Sequence, residues 1–158
     1  MDLITCLWFN GNAREAATFY TSIFPNSHLA DNWLAPTDTP GNAQGDEVVV
    51  NFTIFGKPFI GLNGGPQFPH TQAISFQIPC GDQAEIDKYW ELLTADGGKE
   101  SQCGWLWDKF GVSWQVTSPS MSKFIAGPDA AGSMRATQAM LEMTKIDLKV
   151  MEDAYLGK

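Results

Sequence analysis

The amino-acid sequence predicts an α+β chain built from two copies of one strand–helix–strand–strand–strand module, followed by helices. Three observations lead there. The order of β-forming runs and amphipathic stretches starts again after residue 72. Two offsets lay chemically matched residues of the halves on one another. Beyond residue 128 the apolar periodicity becomes helical.

Residues 3–9 form a short apolar run rich in β-formers, ended by Asn10-Gly11-Asn12. Asn12 suits the N-cap of a helix over 13–24, with Ala16, Phe19, Tyr20 and Ile23 on its buried face. A strand over 27–34 precedes a Pro-, Gly- and Asp-rich stretch, 35–46, long enough to be a flexible flap. Residues 47–55 alternate, with Val48, Val50, Phe52 and Ile54 on one face. Gly56 turns the chain into a partner strand over 57–63. After a linker, residues 73–78 read as a strand and 83–95 as a helix burying Ile86, Tyr89, Trp90 and Leu93. Gly97-Gly98 closes that helix. A weak strand over 99–102 leads into a hairpin carrying Trp105, Trp107 and Trp114, turned at Lys109-Phe110-Gly111. Helices follow over 133–143, with Ser133 as cap, and over 147–155, started by Asp147.

An offset of 70 positions superposes Ile4 on Ile74, Thr5 on Ser75, Asn12 on Asp82, Glu15 on Glu85, Phe19 on Tyr89 and Tyr20 on Trp90. An offset of 55 lays Phe55-Gly56 on Phe110-Gly111, Phe59 on Trp114 and Ile60 on Gln115. The expected organisation is a single domain over 1–158. Module one spans 1–64, the linker 65–72, module two 73–120 and the helical extension 128–158.

Composition bounds the function. The chain has 158 residues, 44% apolar and 18% charged, enough to bury a core without disulfides or metal. A net charge of −8, with ten scattered Lys and Arg, argues against a nucleic-acid partner. Met1-Asp2 runs straight into a strand without a secretory signal, and no apolar run approaches the roughly 18 residues of a membrane span. Cys6, Cys80 and Cys103 are distant from one another and form no CxxC pair, which suits free thiols in a reducing compartment. A cytoplasmic location with no membrane partner is expected.

The stretches LWFNGNAREAATFYTSIFP, CGWLWDKFGVSWQVTSP and RATQAMLEMTKIDLKVMEDAY give the whole chain a family likeness. It resembles the vicinal oxygen chelate superfamily of glyoxalase I, extradiol dioxygenases and bleomycin-resistance proteins, in its PhnB-like branch. The resemblance implies two curved, mixed but mostly antiparallel sheets enclosing a cavity, and a homodimer. It also implies, for the superfamily's metal enzymes, ligands at positions that fall here on Thr5, Ile60, Ser75 and Gln115. A divalent ion wants imidazole or carboxylate, so no metal and no cofactor are expected. The branch is often labelled a demethylubiquinone methyltransferase. The sequence has no glycine-rich turn between a parallel strand and a helix to hold S-adenosylmethionine.

Strand parity assigns the ligand face. Thr5 and Leu7 share one face of the first strand, Ser75 and Gln77 one face of the fifth. On the eighth, Ser113, Gln115 and Thr117 oppose Val112, Trp114 and Val116. With Trp105 and Trp107 as an aromatic wall, the expected ligand-binding set is Thr5, Leu7, Ser75, Gln77, Trp105, Trp107, Gln115 and Thr117. Trp33 is a further candidate to close the cavity. Cys103 has only Lys99, Lys109 or His70 to activate it, and a structural thiol is the simpler reading. His70 is a solvated loop histidine or a general base. Asp108 bonds backbone amides of its own turn. The expected function is metal-independent binding of a small molecule. The alternative is a metal-dependent lyase, isomerase or dioxygenase acting on a vicinal-oxygen substrate.

Overall fold

The computed structural model describes residues 3–158 as two compact units, one ending at His70 and one beginning at Thr71. The first holds β1 (Thr5–Phe9), α1 (Ala13–Ile23), β2 (Leu29–Leu34), β3 (Glu47–Ile54) and β4 (Lys57–Asn63). Its curved sheet runs β1-β4-β3-β2. β1 is parallel to β4, and the other pairs are antiparallel. The second holds β5 (Phe76–Pro79), α2 (Gln83–Thr94), β6 (Lys99–Glu100), β7 (Trp105–Trp107) and β8 (Ser113–Thr117). Its order, β5-β8-β7-β6, and its single parallel pair, β5 with β8, repeat the first pattern. Helices α3 (Ser122–Ile125), α4 (Ala130–Leu141) and α5 (Leu148–Leu156) complete this unit. The α+β class and the two βαβββ modules are those the sequence predicts.

In the first unit β3 alternates as expected: Val48, Val50, Phe52 and Ile54 are buried beneath α1. Phe55 (φ 50°) and Gly56 (φ 71°) are both left-handed, as a two-residue hairpin turn requires. α1 lies close because its inner face is small: Ala13, Ala16, Ala17 and then Tyr20 are buried. Phe19 and Ile23 are only half-buried, a correction to the expected face. Asn12 makes no side-chain cap bond. Asn63 caps instead: its Oδ1 accepts from Ala13 N at 2.9 Å and its Nδ2 donates to the Glu47 carbonyl at 2.8 Å. The loop 35–46 is tied by its own bonds (Ala35 N to Asp46 O, Gly45 N to Ala35 O), which makes it a closed loop rather than a loose flap.

In the second unit Asp82 caps α2 by accepting from Glu85 N at 2.9 Å, and Ile86, Tyr89, Trp90 and Leu93 are buried as predicted. Three expectations need correction. β5 begins only at Phe76, and Ile74 is 76% exposed. β6 is just two residues. α4 begins at Ala130, capped by Asp129 rather than Ser133, because the Asp129 carboxylate reaches Ala131 N at 3.1 Å. Asp147 caps α5 through Lys149 N and Val150 N, as expected.

Register corrects the repeat. Thr5 pairs with Phe59 and Phe76 pairs with Trp114, so with Phe59 and Trp114 equivalent, Thr5 corresponds to Phe76, an offset of 71. The helix caps Asn12 and Asp82 keep the offset of 70. The β1–α1 connection is therefore one residue longer than its counterpart. A slip of one residue exchanges the faces of a strand. Thr5 and Leu7 thus lie on the helix-covered face, not the ligand face that parity assigned them. Leu7 is buried and in register with Gly61, and a Cβ at Gly61 would lie 3.0 Å from the Ala13 Cβ.

Candidate functional site

The site is built on the β7–β8 hairpin. Cys103 (φ 56°) and Gly104 (φ 82°) are both left-handed, and this kink launches β7. Their amides donate to the carbonyls of Met143 at 2.8 Å and Thr144 at 2.7 Å. A Cβ at residue 104 would meet the Val116 carbonyl oxygen at 2.6 Å, which is why glycine stands there. At the other end Asp108 holds the turn from a buried position. Its Oδ1 accepts from Phe110 N (2.9 Å) and Val112 N (3.0 Å), and its Oδ2 accepts from Trp114 Nε1 (2.8 Å).

Between these anchors, register sorts the side chains. Leu106 pairs with Trp114, and both are buried on the face covered by α2. Trp105 pairs with Gln115 and Trp107 with Ser113 on the opposite face. There Trp105 and Trp107 wall a cavity of about 340 Å³, with Ser113, Cys103 and Leu106 beside them. Gln72, Ser101 and Gln102 complete its lining, which includes no acidic, basic or histidine side chain. Ser113 is 2% exposed, and its hydroxyl has no hydrogen-bond partner.

The structure gathers six of the eight predicted residues in this unit. Trp105 and Trp107 line the cavity. Gln115, beside Trp105, donates through Nε2 to Ser75 Oγ at 2.8 Å. Gln77 is exposed and in register with Gln115. Thr117 Oγ1 donates to the Ile78 carbonyl at 3.5 Å. Thr5 and Leu7 belong to the first unit and lie on the helix side of its sheet. Ser113 was the residue sequence reasoning passed over. It shares parity with Gln115 and Thr117, but its lack of a bonding partner is visible only in three dimensions. Trp33 is half exposed on the edge strand β2.

The thiols are set apart by environment. Burial, with the Glu85 charge second, pushes Cys80 from 9.0 up to about 11. Burial also raises Cys6. In the first unit the Arg14 guanidinium, hydrogen-bonded to Glu47, holds that carboxylate below its ordinary range.

The model of the family described as 3-demethylubiquinone-9 3-methyltransferase matches residues 1–117. The chain belongs to that family. This is the PhnB-like branch of the vicinal oxygen chelate superfamily. Among solved structures, a PhnB protein from Bacillus cereus whose description carries the same methyltransferase label is 32% identical. The match covers 75% of this chain and 99% of that one, with a TM-score of 0.66. Protein PA1353 from Pseudomonas aeruginosa, 23% identical over 75% of this chain and 97% of its own, shares the fold with a TM-score of 0.59. No curated protein matches the chain.

Two groups implied by this kinship do not fit the residues present. The residues that the sequence alignment assigned to metal ligands do not make a site: Thr5 lies on the helix side, Ile60 offers no donor, and Ser75 and Gln115 bond each other. Among the described residues no three His, Cys, Asp or Glu side chains converge. For S-adenosylmethionine, each parallel pair (β1 with β4, β5 with β8) flanks a helix and two intervening strands, not the strand–helix–strand unit of such sites. Among the described residues no helix is long and apolar enough to cross a membrane.

Proposed function

We propose that this chain is a metal-independent small-molecule-binding protein of the glyoxalase/bleomycin-resistance type. Its ligand sits on the face of the second sheet turned away from α2. The indole-walled cavity of about 340 Å³ carries this reading. That volume lies in the range of roughly 300–1,000 Å³ usual for small-molecule sites, and the lining is mostly apolar with a few polar groups. Trp105 and Trp107 supply contact area, while Ser75, Gln77, Gln115 and Thr117 orient polar atoms at the neighbouring strands. Methyl transfer is not favoured, because the fold offers no cradle for the donor. The same reading makes the protein a cytoplasmic homodimer. The edge strand β2, exposed along its whole length and carrying Leu29, Trp33 and Leu34, is the surface that suits a second copy.

A thermal-shift screen of metabolites against the full chain tests the reading, with Trp107→Ala as control. Expected is a stabilising compound whose effect the substitution abolishes, unchanged by chelator. One equivalent of bound divalent metal, together with a turnover that chelator destroys, would overturn it in favour of a lyase, isomerase or dioxygenase.

A further inference from the structure

Resting on that binding function, we propose that Ser113 is the specificity-determining residue of the Trp105–Trp107 cavity. Its ligand is an uncharged planar heteroaromatic whose ring heteroatom hydrogen-bonds the Ser113 hydroxyl.

Among the described residues the buried polar ones are Asn63, Asp108, Ser113 and Ser118. Asn63 and Asp108 satisfy helix and turn amides, and Ser118 bonds Ser120. Ser113 alone of the four has a side-chain oxygen without a partner. A buried hydroxyl with no protein partner is destabilising unless water or a ligand supplies its bond. Its place is fixed from both sides. The amide of the preceding residue, Val112, is held by Asp108, and Trp107 is its cross-strand partner on the cavity face. The backbone of Ser113 is thus held in one position beside an aromatic wall, as a selective site requires.

The lining defines the rest of the ligand. The two indoles favour a flat ring system, which stacks on or packs edge-on to tryptophan. Without an acidic, basic or histidine side chain in the lining, an ionised group would be buried with no counter-charge. A hydroxyl both donates and accepts, so the ligand needs one heteroatom of either kind.

Calorimetric titration of the full-length protein at neutral pH tests this with four probes of one shape. They are quinoline, naphthalene, N-methylquinolinium and 2-naphthoate. Quinoline is expected to bind about fivefold or more tightly than naphthalene, the value of one net hydrogen bond. N-methylquinolinium and 2-naphthoate are expected to bind more weakly than either. Ser113→Ala should bring quinoline to the naphthalene level and leave naphthalene unchanged. Because the substitution removes an unpaired buried hydroxyl, the variant should melt no lower than the parent. Equal binding of quinoline and naphthalene, an equal loss of both in Ser113→Ala, or preference for either ion overturns the inference. If naphthalene still binds and Trp107→Ala abolishes that binding, the binding function survives such a failure. If no probe binds, this inference falls, while the metabolite screen still decides the broader reading.

Discussion

Replacing Asp108 by alanine removes the acceptor for three donors, and two of these sit on residues only 2% exposed, Val112 and Trp114. Phe110 is half-buried, and its amide can turn to water. A buried donor stripped of its partner costs about 1–3 kcal/mol. Two of them give about 4 kcal/mol, a large part of the roughly 5–15 kcal/mol by which a domain is stable. At about 2–4 °C per kcal/mol for a chain of this size, the melting temperature should fall by roughly 8–16 °C. Urea denaturation followed by tryptophan fluorescence measures the effect directly. Asp108→Asn keeps one acceptor and should cost about half as much. In a Trp114→Phe background, which lacks the indole N–H, the loss from Asp108→Ala should shrink by about 1–2 kcal/mol. A cost below about 1 kcal/mol for Asp108→Ala, or strict additivity of the pair, would show that the carboxylate does not hold this turn.

Two further expectations come from other sites. Asn63→Ala removes both the acceptor for the first amide of α1 and the donor to the Glu47 carbonyl. It should cost about 1–3 kcal/mol in chemical denaturation, while Asn63→Asp, which keeps the acceptor, should cost less. The Cys80 thiol ionises near 9.0 when unperturbed and at about 11 when folded. Its contribution to stability is therefore complete below pH 9 and lost as the pH climbs toward 11. Urea midpoints across that range should fall less steeply for Cys80→Ala than for the parent, and parallel curves would refute the assignment.

The strands and helices that bury one face are the ones sequence pattern reveals. β3 alternates strictly, and α2 places Ile86, Tyr89, Trp90 and Leu93 on one side after a true Asp82 cap. Composition misled where a partner elsewhere in the chain decides. Asn12 has the right type for a cap, but the bond to Ala13 N comes from Asn63, fifty positions beyond Ala13. Ser133 likewise loses to Asp129. The ligand face of the second sheet was legible because Gln77, Gln115 and Thr117 alternate with apolar neighbours. That of the first was misread. An alignment anchored on the helices carries its offset through the β1–α1 turn, and a single added residue there sends Thr5 and Leu7 inward. Ser113 could be placed on the right face by parity, yet the absence of a partner for its hydroxyl is a property of packing that no local pattern encodes.

The kink at Cys103 and Gly104 bears on how far this pocket could be moved or trimmed. Their amides are anchored by the carbonyls of Met143 and Thr144, and the Cys103 thiol points at the Met140 carbonyl. Gln83 clasps the same segment, donating to the Ile146 carbonyl and accepting from Leu148 N. One end of the tryptophan wall is therefore fastened by backbone that lies well after the last strand. Grafting the repeated module alone onto another scaffold would carry the indoles but leave their mooring behind. The smallest portable version of this cavity runs from Gln72, just ahead of β5, to the start of α5.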